Sequence, residues 1–571
     1  MQTKHYCKLM LIGAVAIILA SCGKTNTQGK LIPKNAGIVL KMDGKSLSDK
    51  LPWDEIKQNP IFQQAYADTA LPAFMKTILD NPENAGIDPK TDFMFFAIKD
   101  SIGGYVAFEG TVKDDAKFKA FNKEITKNGT ESEKDNVQYI SKSPVCVGWT
   151  KEKFVYIIDA PQMAQMDNLS RRMMRDSIDI TSRSARDIGA TCKSIFDLKE
   201  GNTLAKDDKF SALMKEKGDI HFWMNAGELN KTTASNTPLA MLNLEKLYKG
   251  NITTGTMDFD QGKITAKVRN YASEEMTKLF KKYGGGKVNE DMIKRIPGKD
   301  VVAVMALNFK PEGLQELIKL TGLDGLMNIG LSSMGFTLDD FIKANKGDVV
   351  VAVSDFSMKT DTVTYNFQDQ EPNHALHQKP DFNFIFSASI GDKDAFNKLV
   401  NAGKKLGQTM GGDSSKAPIA YNSNGTFFAL SNTKENVDKY LGGSTTNFDF
   451  INKINGEPYG GYINIQLLLK AFGTTAATDS SAKVGLDESL KIWDNVLWKG
   501  GNFSDGAISQ VVEVNLVDKT TNSLKQLNQY AAKMALLYKE KQKKQKDEMM
   551  AYEDMVTPMT EDTTAVPSKK K

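Results

Sequence analysis

Five short segments recur in the same order in the two halves of this chain, and that repetition constrains its fold more than any other feature. Ile32–Leu40 is matched in outline by Ile296–Val304, and Asp92–Ala97 by Asp348–Val353. Asp114–Phe118 matches Asp392–Phe396, Trp223–Asn225 matches Tyr462–Asn464, and the hairpin Phe259–Ile264 matches Phe503–Ile508. One such match between strand and helix segments carries no weight, but five in register predict an internal duplication. Each copy opens on a Pro-led apolar strand. A helix is then expected to start near Ser46, burying Leu51, Trp53 and Ile56, and its counterpart at Pro311, burying Leu314, Leu317 and Ile318. Fixed φ suits Pro311 to the first helical turn. Asp114 and Asp392 are expected N-caps, because a carboxylate accepts the free N–H groups of the first turn. Gly262 and Gly506 fall where hairpin turns require positive φ.

These patterns predict an α+β fold. Two tandem related domains of mostly antiparallel sheet, with helices packed on one face, precede a long C-terminal helix and a disordered tail. A helix is missing between most strand pairs, which argues against a doubly wound parallel sheet. The expected layout is a repeat domain over 31–283, a linker over 284–295 beginning at Gly284-Gly285-Gly286, a second repeat domain over 296–518, a helix over 519–552 and a tail over 553–571. At 571 residues the chain is too long for one core. The copies diverge in their middles, the first carrying Asp167–Lys206 with Arg171, Arg172 and Arg175, the second a polar loop from Ser357 to Pro380. In the C-terminal helix Leu524, Leu527, Ala531, Met534 and Tyr538 form an apolar stripe that stops at the Lys-rich run Lys539–Lys546. With no heptad seam continuing, that run reads as a solvated helix end.

The first 21 residues read differently. Lys4 and Lys8 precede the apolar stretch Leu9–Leu19, which is too short to span a bilayer and has the build of a secretory signal. It closes on Leu19-Ala20-Ser21-Cys22, which resembles the lipobox of bacterial lipoproteins. The resemblance implies that Cys22 is acylated and becomes the mature N-terminus, with residues 22–30 as a tether. Acyl chains (palmitate among them) on one Cys add about 0.8 kcal/mol per buried methylene, making the membrane anchor essentially permanent. Gly23 stands where inner-membrane lipoproteins carry Asp, and Gly23–Gln28 lacks the acidic cluster of surface-exported ones. The expected location is therefore the outer membrane of a bacterial cell envelope, on its periplasmic face.

Removing the signal takes Lys4 and Lys8 from 74 basic residues and nothing from 70 acidic ones, leaving 72 and 70. Near-zero net charge gives no long-range field for nucleic acid or anionic lipid, and no nucleic-acid partner is expected. Cys146 and Cys192 are the cysteines left beyond the signal and Cys22. An oxidising compartment permits a bridge between them that closes a loop of about 46 residues and stabilises by about 4 kcal/mol. The other reading is two buried unpaired thiols, and sequence does not choose between them.

Chemistry is harder to find. Gly44-Lys45-Ser46 ends like a P-loop, but Val39 stands where its first Gly belongs, so the fragment reads as a turn and helix cap. Ser480-Ser481-Ala482-Lys483 has the Ser-x-x-Lys spacing of penicillin-recognising enzymes, but by composition it lies in a flexible loop with Gly473–Asp479 and lacks the accompanying Ser-Asp-Asn and Lys-Thr-Gly. His374 and His377 share a face only on a helix, and Pro372 and Pro380 bracket them in the polar insertion. His221, beside Phe222 and Trp223, reads as a structural residue on an edge strand. No catalytic residue, metal ligand or cofactor site is assigned.

The lipobox, the Ile-Pro-led strand and its recurrence together resemble an uncharacterised bacterial lipoprotein family, domain-of-unknown-function family 4836. The resemblance implies an envelope lipoprotein and supplies no catalytic residue. The expected function is non-enzymatic, binding or scaffolding an envelope protein partner. The alternative is a carrier of lipid or another apolar ligand, suggested by frequent Met and the apolar, Gly-rich run Thr321–Leu331 (otherwise a kinked core helix). A third reading is an envelope hydrolase with a dispersed site.

Overall fold

The computed structural model describes residues 28–67, 71–161, 186–230, 245–365, 373–409, 419–473 and 480–556. The signal segment 1–21, Cys22, Arg171, Arg172 and Arg175, and most of the tail lie outside the described residues.

The first half supplies β1 (Ile38–Asp43), β2 (Asp92–Asp100), β3 (Gly103–Thr111), β4 (Thr130–Lys134), β5 (Val137–Lys142), β6 (Val145–Trp149), β7 (Lys153–Asp159), β8 (Ile220–Asn225), β9 (Ile252–Asp260) and β10 (Lys263–Tyr271). The second supplies β11 (Val301–Asn308), β12 (Asn345–Tyr365), β13 (Asn373–Ile390), β14 (Ala420–Ser423), β15 (Phe427–Ser431), β16 (Tyr459–Asn464), β17 (Trp493–Ser504) and β18 (Ala507–Leu516). All pair antiparallel. In space they run β4-β5-β6-β7-β3-β2-β1-β8-β9-β10 and then, without a break, β18-β17-β16-β11-β12-β13-β15-β14.

The duplication is thus visible as topology. From β6 to β10 the order repeats from β14 to β18, reflected about the β10–β18 seam; β4 and β5 belong to the first half alone. At the seam Lys263 pairs with Asn515 and Tyr271 with Ala507. In the duplication Lys263 corresponds to Ala507 and Tyr271 to Asn515, so equivalent residues pair crosswise about Lys267 and Val511. This is the arrangement of an isologous dimer interface, here within one chain. Each half's last helix also lies on the other half's first helices. Lys525 Nζ, in helix Ser523–Val556, is 2.6 Å from Glu55 Oε1, and Asn59 Nδ2 donates to Asn528 Oδ1 at 2.8 Å. Gly313 leaves room for Tyr283, at the end of helix Glu274–Tyr283.

Several local expectations hold. Asp114 accepts from Lys117 N at 3.0 Å and Asp392 from Ala395 N at 2.8 Å. Gly262 and Gly506 have φ of 65° and 77°. Others change. The first helix, Gly44–Lys50, ends before Pro52, which pushes Leu51 into extended backbone; Trp53 and Ile56 lie half-buried on a separate helix, Trp53–Lys57. The stretch 284–295 contains helix Glu290–Lys294, whose Met292 and Ile293 are fully buried in the second half's core. The polar insertion is a β-ribbon, with Ser357–Tyr365 pairing with Asn373–Asp381. Helices pack on both faces of the sheet rather than one, on the second face at its outer ends.

Candidate functional site

Side chains alternate across a strand, so each strand here contributes to two faces. One is a finished core. Val39, Met94, Phe96, Val155, Ile157 and Trp223 pack beneath helices Ile188–Phe196 and Asp208–Leu213 in the first half. Val304, Ala306, Val350, Ala352 and Ile385 pack beneath helices Glu290–Lys294 and Lys434–Gly442 in the second.

The opposite face is equally apolar and is not finished. At its outer ends it is closed, by Phe118 and Phe121 over Val147, Trp149 and Phe154 and by Phe396 against Phe428. Between them no buried cluster includes a strand residue of this face, among the described residues. Consecutive residues show the difference. Val39 is 1% exposed and Leu40 37%; Trp223 is 1% and Met224 37%; Val304 is 2% and Met305 49%. Phe95, Phe222 and Trp498 lie on the same open face, half-buried.

Two rings are held flat on this floor. Phe222 covers Gly255 on the neighbouring strand, and Trp498 covers Gly461, in each case where a Cβ would collide with the ring. Glycine and aromatic exchange strands between the halves but give the same result, a smooth apolar surface about the seam. The backbone beneath is satisfied by the ladder, and the floor from Leu40 to Met305 offers apolar contact and little hydrogen bonding. Exposed apolar side chains gathered on one face of a folded protein mark a binding surface.

A second apolar recess, of about 410 Å³, lies between helix Ser480–Ile492 and helix Ser523–Val556, lined by Leu486, Ser489, Met534, Leu537, Tyr538 and Lys541. Its volume is in the range of small-molecule sites. Beyond Lys539 the long helix is exposed through Met550, as its Lys-rich run predicts.

The charged groups buried in the first half sit on the core side or at strand ends and have structural partners. Arg186 donates to Asp100 at 2.8 Å and to Asp159 at 2.8 Å. Asp219 accepts from Ser46 Oγ and from the N–H of Phe259, both at 2.6 Å. Burial pushes the Glu109 carboxyl above the usual carboxylate range, which Lys153 at 3.4 Å partly opposes.

The sequence candidates are dispersed. Gly44-Lys45-Ser46 starts a helix capped by Asp43, which accepts from Ser46 N at 2.8 Å. Ser480–Lys483 opens a helix rather than lying in a loop, and Lys483 pairs with Asp487 at 2.9 Å. His374 and His377 lie three apart on strand β13 and not on a helix. No group of three or more His, Cys, Asp or Glu side chains among the described residues could hold a metal. His221 is not at an edge: β8 lies between β1 and β9, and its Nε2 is 2.9 Å from Glu216 O. Thr321–Leu331 is not core throughout. Met327 and Leu331 of helix Asp324–Ser333 face a small cluster, while Leu326 and Ile329 are 63% and 73% exposed. Cys146 and Cys192 come together, fully buried, as free thiols. What sequence reading missed is the open face. Continuous apolar strands such as Asp92–Ala97 read as buried on both sides, and nothing local reveals that one side lacks a roof.

A family model described as a domain of unknown function, DUF4836, matches residues 29–416. The chain belongs to that family. The match takes in the whole first half and the second as far as helix Lys393–Thr409. No curated protein matches. Among solved structures, three crystal forms of TP0453 are similar at a TM-score of 0.24. Forms III and IV are 9% identical, covering 44% of this chain and 82% and 83% of that one; form I is 11% identical, covering 43% and 78%. Likeness at that level carries no argument about function. Among the described residues of this DUF4836 protein no helix is long and apolar enough to cross a membrane.

Proposed function

We propose that this DUF4836 protein is a non-enzymatic binding protein of the bacterial envelope whose ligand is an extended apolar molecule, lipid acyl chains foremost, lying on the open face. In this reading it is a lipoprotein anchored through Cys22 in the outer membrane and facing the periplasm. The observation that carries it is the contrast between neighbours on one strand, Val304 sealed and Met305 half exposed, repeated at Val39–Leu40 and Trp223–Met224. A floor that is apolar but for Thr253, Asn270 and Gln510 suits methylene chains, each methylene contributing about 0.8 kcal/mol when buried. The test is organic extraction and mass spectrometry of protein purified from bacteria without detergent, with displacement of a fluorescent fatty acid in vitro. Recovered lipid and displacement support it; a clean extract with no probe binding refutes it.

A second reading, a scaffold for an envelope protein partner, is favoured by the β12–β13 ribbon. Among the described residues, these strands beyond Ser354 pair only with each other, leaving edges of a kind that partner strands join. Crosslinking in intact cells that captures one envelope protein through Ser357–Asp381 would favour it.

A further inference from the structure

The pair Cys146 and Cys192 stands apart from the open face, and its geometry can be built from the backbone. On β6, Cys146 and Gly148 are two residues apart and so point to the same side of the sheet. On helix Ile188–Phe196, Cys192 and Phe196 are four apart and so share one helix face. Gly148 has no side chain, and the Phe196 ring occupies the space. A Cβ at Gly148 would lie 2.6 Å from Phe196 Cε2. Phe196 seated over Gly148 leaves Cys192, one turn earlier, over Cys146, two residues earlier. Tyr139 completes the seat, its ring 5.8 Å from that of Phe196 and edge-on to it. Both sulfurs are fully buried in one core cluster.

We propose that in the mature protein Cys146 and Cys192 are joined as a disulfide, formed as the chain folds by exchange with a disulfide oxidant of the envelope. One thiolate attacks the oxidant's disulfide, forming a mixed disulfide and releasing one oxidant sulfur as a thiol. The second thiolate attacks the protein sulfur of the mixed disulfide, forming the Cys146–Cys192 bond and releasing the other oxidant sulfur. The two cysteine protons end on the oxidant's sulfurs and two electrons pass to it. Because the folded protein buries both sulfurs, exchange takes place before helix Ile188–Phe196 closes over β6. The bond ties that helix to the sheet across the segment 162–185.

The experiment uses full-length protein exported in a bacterium, quenched in acid, denatured and alkylated with N-ethylmaleimide without reductant. The expected result is no alkylation at either position, a mass short of one hydrogen pair, and one crosslinked peptide containing both residues. Alkylation of both cysteines in most of the protein overturns the proposal, as does a chain-to-chain crosslink through either. Protein made reduced in the cytoplasm supplies a second reading: after folding, its thiols should resist alkylation until it is denatured. Rapid labelling of both in the native state would overturn the assigned geometry independently of the redox outcome.

Discussion

Met305→Lys and Val304→Lys place the same charge on adjacent residues of β11, and the open-face reading makes their outcomes diverge. Burying a Met or Val side chain fully is worth roughly 2 kcal/mol. Met305 keeps 49% of its surface exposed, so the change forfeits about 1 kcal/mol at most. The lysine stem can cover the same neighbours while its ammonium stays in water. Val304, 2% exposed, has no such outlet. A lysine there buries an unpaired cation at a cost of several kcal/mol, against a total stability of about 5–15 kcal/mol. Urea denaturation should show a small midpoint shift for Met305→Lys and a largely unfolded Val304→Lys. Ligand binding should follow the opposite logic. A charge in the floor denies contact to about three methylenes, or about 2 kcal/mol, which weakens fatty-acid probe binding roughly 30-fold. If Met305→Lys unfolds as Val304→Lys does, the face is closed and the reasoning fails. If it folds and binds the probe like the unaltered protein, the floor is not where the ligand lies.

Arg186→Ala should cost about 3–5 kcal/mol in urea unfolding, because it strands the buried Asp159 carboxylate; a loss under about 0.5 kcal/mol would refute that role. Glu109 has a folded pKa raised above its unfolded one, so the folded state holds a proton that the unfolded chain releases first. Its penalty therefore appears as pH rises above the ordinary carboxylate range. Glu109→Gln should accordingly raise the urea midpoint near pH 7 and leave it unchanged near pH 4; equal effects at both would contradict the assignment. Gly461→Val should expel the Trp498 ring and shift tryptophan emission to the red while the protein stays folded. Reducing the proposed Cys146–Cys192 bridge should lower stability by about 4 kcal/mol, measured as a fall in the urea midpoint against protein that keeps its bond.

The local chemistry of the fold was legible in the residues. Asp114 and Asp392 cap because a carboxylate meets free amides wherever a helix starts, and Gly262 and Gly506 turn because a glycine meets no Cβ clash at positive φ. Pro52 shows the limit: an amphipathic period runs through it, yet its ring forces Leu51 out of helix and divides the segment. The His374–His377 spacing could be judged only once the backbone was known to be strand, since three residues share a face on a helix and not on a strand.

The sequence by itself determined the duplication, the α+β class, the hairpins and caps, and that two cysteines remain beyond the signal and Cys22, all through periodicity and side-chain chemistry acting over a few residues. The tertiary structure decided that the two halves share one sheet, because strand edges are alike in backbone and only three-dimensional closure shows that β10 meets β18 rather than solvent. It likewise decided that Phe196 over Gly148 brings Cys192 to Cys146, and that the floor from Leu40 to Met305 is left without a roof. Those outcomes depend on which distant elements pack where, and exposure is a property of the assembled neighbours rather than of the strand that bears it.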